Sequence, residues 1–392
     1  MHRGFLIAFL LSFGPTVSNS FARFAYALVL PSMRADLSLD WSQAGALNTS
    51  NALGYLGGAL LARLLVGRLG NRWLFGAGMV VTALGLFATG LTRDLGMLTV
   101  ARIVSGVGGA WVFICGGALS GNVFPGEPRR ATTTIAIFFA GGGVGLILCA
   151  LALPPLLSMQ GDGGWPIAWQ AMGAVSLVMA AASIWAAVRI EEPGAASAGP
   201  GNASAGWQLR RFMPQLLSYV CFGLGYIGYM TFVIAWVRVN GGDALLVAAV
   251  WCTLGAGTLI APVVWAGPCE RWPGGRPMAA VMAVLATGAL IPMLSVHPAA
   301  LIVSAALFGV SMFSAPSAIS SLIKHGVPKP AWGSAMATFT IAFAASQIAG
   351  PVATGWVADR FGSLRPGLTV SALILALGAL LALAQGDPRQ RD

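Results

Sequence analysis

The chain is a succession of long apolar runs separated by short loops. Twelve such runs can be delimited, at 4–31, 42–64, 73–92, 95–121, 131–157, 166–188, 212–237, 244–266, 278–296, 299–323, 331–358 and 366–385. Each is about 20 to 28 residues long, enough to cross ~30 Å of hydrocarbon at 1.5 Å per residue. A helix satisfies its own backbone polar groups, so a chain built this way can fold in lipid as helices. Only 9% of residues are charged, against about 25% in soluble domains. The expected fold is an all-α membrane protein of twelve transmembrane helices.

Charge placement orients the chain. With the N-terminus inside, fifteen Lys and Arg residues fall in cytoplasmic segments and five at the outer side, a positive-inside bias that makes both termini cytoplasmic. The net charge of +10 is thereby accounted for by loops. It does not gather on one face as a nucleic-acid interface requires. The start carries His2, Arg3 and a small-x-small site at Ser20-Phe21-Ala22. The apolar run continues beyond that site to Pro31, so it reads as a first span rather than a cleaved signal.

Residues 191–211 break the rhythm. This Gly/Ala/Ser-rich stretch reads as a cytoplasmic linker, dividing a six-helix half at 1–190 from a second at 212–392. Two such halves suggest parallel repeats of the kind found in transporters. Direct similarity between them is weak, the clearest match being Gly106 with Gly309 in the fourth and tenth spans.

Charge inside the membrane is the sharpest functional signal. Only Arg23 in span 1 and Arg102 in span 4 lie well within apolar runs, both ~10–12 Å below the outer surface by helix rise. The twelve acidic residues all fall in loops or at span ends. Two buried cations without a buried acid need another source of compensation. A bound anion, water or backbone carbonyls can supply it; the alternative to an anion site is that each arginine caps a helix break or snorkels to the outer surface. Asn19, Arg23 and Tyr26 follow at i, i+4 and i+7, one face of an α-helix. Asn48, Asn51 and Tyr55, at i, i+3 and i+7, likewise share one face of span 2. Span 7 carries Tyr226 and Tyr229, span 11 the lone amide Gln347, and span 10 a serine series through Ser311, Ser314, Ser317 and Ser320 with Pro316 placed to kink it. Any one of these polar groups also serves helix–helix hydrogen bonding.

No enzyme motif or metal-ligand spacing occurs, and His2, His297 and His325 are dispersed. No cofactor is expected. The five cysteines follow no disulfide or metal pattern, and Cys115, Cys149, Cys221 and Cys252 fall inside apolar spans, where a cysteine acts as a small hydrophobe.

The chain resembles the major facilitator superfamily over nearly its whole length. Arg102-x-x-x-Gly106 is similar to that superfamily's fourth-helix motif, whose arginine is linked to proton coupling. Gly67-Arg68-Leu69-Gly70-Asn71-Arg72 lies where the superfamily has its glycine/acid/basic gating motif, here without the acid. Gly355-x-x-x-Asp359-Arg360-x-Gly362 looks like the related motif of helix 11. Arg23-Phe24-Ala25-Tyr26 with Leu30-Pro31, and Phe222-Gly223-x-Gly225-Tyr226-Ile227, look like the YbfB/YjiJ-type bacterial transporters. The resemblance implies a secondary transporter of the bacterial inner membrane, a monomer, in which helices 1, 4, 7 and 10 line a central cavity. It also implies conformational roles for Gly67, Arg68, Gly70, Arg72, Gly106, Asp359 and Arg360.

The expected function is alternating-access transport of a small organic anion, with protons as a coupling ion if any. Arg23 and Arg102 would hold the anion, with Tyr26, Asn19, Asn48, Asn51, Tyr226, Tyr229, Ser314 and Gln347 as further binding residues. Proton-coupled efflux of hydrophobic drugs is the alternative within transport. A membrane receptor or scaffold without transport is the alternative outside it.

Overall fold

The computed structural model describes residues 2–191 and 207–387, and these are helical with no strand. Most of the linker expected at 191–211, residues 192–206, lies outside the described residues. Eleven helices among the described residues are long and apolar enough to cross a bilayer. The longest, Trp41–Thr89, contains two spans. At Gly70 its backbone turns to φ 79°, ψ 162°, a region open to glycine but strained for a residue with a Cβ. The twelve expected spans are therefore present. They are α1 (Arg3–Leu37), α2 (41–69), α3 (71–89), α4 (Leu95–Gly121), α5 (Pro128–Gln160), α6 (Trp165–Ala187), α7 (Met213–Val239), α8 (Ala244–Arg271), α9 (Arg276–Leu294), α10 (Pro298–Gly326), α11 (Trp332–Phe361) and α12 (Leu364–Leu383).

Large apolar side chains face outward in mid-span. Val178 is 72% exposed and Val263 82%, surfaces that water would penalise and lipid covers. The acids work at helix ends instead. Asp40 accepts from the Gln43 amide at 2.6 Å while Gln43 accepts from the Asp40 amide at 3.1 Å, a reciprocal cap on α2. Asp94 caps α4 through the Met97 amide at 2.8 Å.

Two compact units form, Met1–Ala198 with Asp243–Ala248, and Gly199–Gly242 with Ala249–Asp392. Within the first, α4 packs through its glycines. A Cβ on Gly106 would strike the carbonyl oxygen of Asn51, and one on Gly85 would lie 2.8 Å from the Ser105 nitrogen. Within the second, a Cβ on Gly309 would strike the carbonyl oxygen of Leu254, and one on Gly288 would lie 3.2 Å from the Phe308 nitrogen. All these partners are related by one register. Asn51, Gly85, Ser105, Gly106 and Tyr26 recur as Leu254, Gly288, Phe308, Gly309 and Tyr229, each 203 residues further on. The repeat that side-chain identity hides is therefore retained in backbone contacts, where only the lack of a Cβ matters.

Candidate functional site

The first span is not a continuous α-helix. It runs as α-helix over His2–Leu11 and again over Phe13–Pro15, widens into a π-helix over Thr16–Phe24, and resumes as α-helix over Tyr26–Leu37. Extended π-helix is rare and clusters at functional sites. Local chemistry accounts for it. Pro15 has no N–H to continue an α-ladder. Thr16 Oγ1 donates to the Gly141 carbonyl at 2.8 Å and Ser20 Oγ to the Gly142 carbonyl at 2.6 Å. These bonds draw the wide segment onto the glycine run of α5, where a Cβ at Gly145 would sit 2.6 Å from that of Ser20. The run at 141–145 is thus a packing surface.

The wide turn redistributes the residues that an ideal α-helix would align. Asn19 and Arg23 remain half-buried. Tyr26 is buried, and its hydroxyl donates to the Ala44 carbonyl at 2.6 Å. The Arg23 guanidinium lies 5.7 Å from the ring centroids of both Phe24 and Tyr55, within cation–π range. It makes no hydrogen bond or ion pair to any described residue.

Arg102 sits behind this segment and is 1% exposed. Its Nη1 donates to the Ala22 carbonyl at 2.7 Å, on the residue immediately before Arg23. A side chain entering a helix ladder is a recognised cause of helix irregularity. The Tyr26 and Trp169 rings each lie 5.0 Å from its guanidinium carbon. Nε and Nη2 have no hydrogen-bond partner among the described residues. Asn51 fixes the backbone here, its amide donating to the Arg102 carbonyl at 3.2 Å and to Ser105 Oγ at 3.1 Å. Asn48 is buried nearby on α2.

The second unit holds the other polar candidates. Tyr226 donates its hydroxyl to Gln347 Oε1 at 2.9 Å. The rings of Tyr219, Phe222, Tyr226 and Phe343 stack with interplanar angles of 7° to 20°. Tyr229 pairs with Ser304 Oγ at 2.6 Å and stacks on Phe308 at 4.1 Å. Helix α10 breaks between Met312 and Ala315, with Pro316 opening its second piece. Ser311 and Ser314 are buried at the break, whereas Ser317 is exposed, so the serine series does not share one face. Gly67, Arg68 and Arg72 are exposed around Gly70, and Asp359 and Arg360 are exposed in the last turn of α11.

Sequence reasoning missed three contributors. Trp169 walls Arg102, Phe343 joins the aromatic stack, and the π-segment itself reshapes the first span. The tryptophan and phenylalanine were visible only as ordinary apolar residues, because their roles come from helices distant in sequence. The combination Gly14-Pro15 ahead of a polar run was the available hint of the third.

Comparison with known proteins fits this architecture. A family described as uncharacterised MFS-type transporter YbfB matches residues 16–383. The nitrate transporters 2.2 and 2.1 of Chlamydomonas reinhardtii are 28% and 27% identical over 161 residues, 41% of this chain. The chain spans less than a third of the length of these curated relatives, 31% and 29%. Among solved structures, an inward-facing, occupied bacterial homologue of the human lysosomal transporter Spinster aligns with a TM-score of 0.73 at 16% identity, over 97% of this chain and 96% of that one. A mutant of the nucleoside transporter NupG aligns with a TM-score of 0.72 at 13% identity, over 97% and 98%. At these identities the structures share the fold. The chain is a multi-pass membrane protein and belongs to the MFS-type transporter family described by YbfB.

Proposed function

We propose that the protein is a secondary transporter of a small monovalent anion, working by alternating access in the bacterial inner membrane with both termini cytoplasmic. The observation that carries this reading is Arg23. It is a half-buried cation in a membrane span, flanked by Phe24 and Tyr55, with no acceptor supplied by any described residue. A guanidinium fork matches a carboxylate or nitrate oxygen pair in geometry and charge. Asn19, one turn earlier and also half-buried, adds an amide beside it.

Arg102 acts on the anion through Arg23. It is too buried to be reached directly, but it adds a second positive charge in low dielectric and holds the Ala22 backbone. Tyr26 and Asn51 position this assembly. Tyr226, Tyr229, Gln347 and Ser314, which lie in the second unit, are proposed as solute-binding residues of that unit. Gly67, Arg68, Gly70, Arg72, Gly106, Asp359 and Arg360 are proposed to serve conformational change. The partial likeness to nitrate transporters supports an anion over a cation.

The test is flux in proteoliposomes with benzoate and nitrate as probes. Wild type should take up at least one of them, and Arg23→Gln should lose that uptake while remaining monodisperse. Undiminished uptake by Arg23→Gln, or export of cationic dyes by cells that make the protein, contradicts the reading.

A further inference from the structure

We propose that the protein is an obligate anion exchanger: its inward and outward half-cycles each need a bound anion, so one anion enters only as another leaves. The inference rests on the anion reading of Arg23 and adds the mode of transport.

The membrane-spanning part is out of charge balance. Arg23 has no acceptor among the described residues, and Arg102 has one carbonyl bond and two nitrogens, Nε and Nη2, without a partner. None of the ten acidic residues among the described ones can answer them. Each lies in a loop, at a helix cap or in a terminal helical turn. The Arg102 cation is enclosed by aromatic rings and a single carbonyl. That environment stabilises a cation only partly, since two of its donors are left unmade.

Alternating access requires a closed state in which a site is cut off from bulk water on both sides. Closing around the half-buried Arg23 without a counter-charge desolvates it beside a second cation, Arg102, that is already buried. Closing around the same cations with a bound monovalent anion returns one charge and several charge-assisted hydrogen bonds. The loaded protein therefore crosses its closed state more readily than the empty one. Proton symport offers no escape. A proton taken up at a span end or in a loop leaves the charge around Arg23 and Arg102 unchanged, and the interior of the described spans holds no acid or histidine. With the return step of the empty form slow, the fast cycle is anion for anion, and for two monovalent anions it moves no net charge.

Purified full-length protein in proteoliposomes, with gluconate as the bulk anion, gives the test. Radiolabelled benzoate is offered outside, and the lumen holds unlabelled benzoate, nitrate, or gluconate alone. Uptake against internal benzoate or nitrate should exceed uptake against gluconate alone by at least about tenfold, a difference of about 1.4 kcal/mol in barrier height. A potassium diffusion potential set with valinomycin should leave the exchange rate unchanged. Equal uptake in all three lumens, or accumulation that follows the imposed potential, overturns exchange. Thermal-shift measurements with benzoate and nitrate separate the two levels of failure. A stabilising shift with equal uptake removes exchange and leaves the anion site standing. No shift and no flux in any arm removes the anion site and exchange together.

Discussion

Arg23 and Arg102 look alike in the sequence and differ in place. Both are lone cations at one depth, and the structure brings them close enough that Arg102 bonds the carbonyl preceding Arg23. Their difference in exposure was not legible, because it depends on Tyr26 and Trp169 closing over Arg102 from two other directions. It leads to opposite mutational signatures. Replacing Arg23 with Gln removes an accessible charge and should weaken anion binding by ~1.5–3 kcal/mol, about one to two decades in Kd, with little change in thermal stability. Replacing Arg102 with Met removes a desolvated cation and two unmade donors while filling similar volume. Its melting temperature should equal or exceed that of wild type, while transport falls, since the Ala22 carbonyl and the second charge are lost. Thermal melts beside flux measurements on both variants check this pair. A strongly destabilised Arg102→Met would show that the cation holds the fold together.

At the scale of elements, the helices were readable from apolar runs, and their irregularities were readable in part. Pro316 marked the break in α10, and Gly70 falls at the turn between spans 2 and 3, where the sequence had a loop. The π-segment of α1 was legible only as the hint at Gly14-Pro15. Its causes are hydroxyl bonds from Thr16 and Ser20 to carbonyls of α5, more than a hundred residues away, and no local spacing encodes them. The glycines divide by what a Cβ would meet. Gly106→Ala and Gly309→Ala each drive a methyl into a neighbouring carbonyl, of Asn51 and Leu254, and should cost ~1–3 kcal/mol each. Gly67→Ala meets nothing within 4 Å and should change stability by less than about 0.5 kcal/mol. Unfolding of the three variants in a mild detergent would rank them, and equal stabilities would contradict the packing assigned to Gly106 and Gly309.

At the scale of the whole molecule, the twelve-span, all-helical fold was legible because lipid allows few solutions to a long apolar chain, and the family through resemblance at motifs such as Arg102-x-x-x-Gly106 and Arg23-Phe24-Ala25-Tyr26. The internal repeat was nearly illegible. It survives in backbone approach rather than in side-chain identity, so Tyr26 has a counterpart in Tyr229 whereas Arg102 has only Ala305. That asymmetry places the membrane's cationic chemistry in one unit. It also bears on coupling, since no acid lies within the interior of the described spans. Exchange of benzoate for nitrate should therefore proceed at the same rate with or without a pH gradient across the membrane. A flux that follows the proton gradient would point instead to a titrating group at a span end or in a loop.

The central claim is that Arg23 is the anion-binding cation of this transporter. Its most direct test is a thermal-shift titration of purified wild type and Arg23→Gln with benzoate and with nitrate, because a ligand that binds the folded state raises stability by mass action. An anion site at Arg23 predicts a concentration-dependent rise in melting temperature for wild type with at least one of the two anions, and for Arg23→Gln the same rise only at concentrations at least about tenfold higher. An equal rise in both proteins, or none in wild type with either anion, would contradict it.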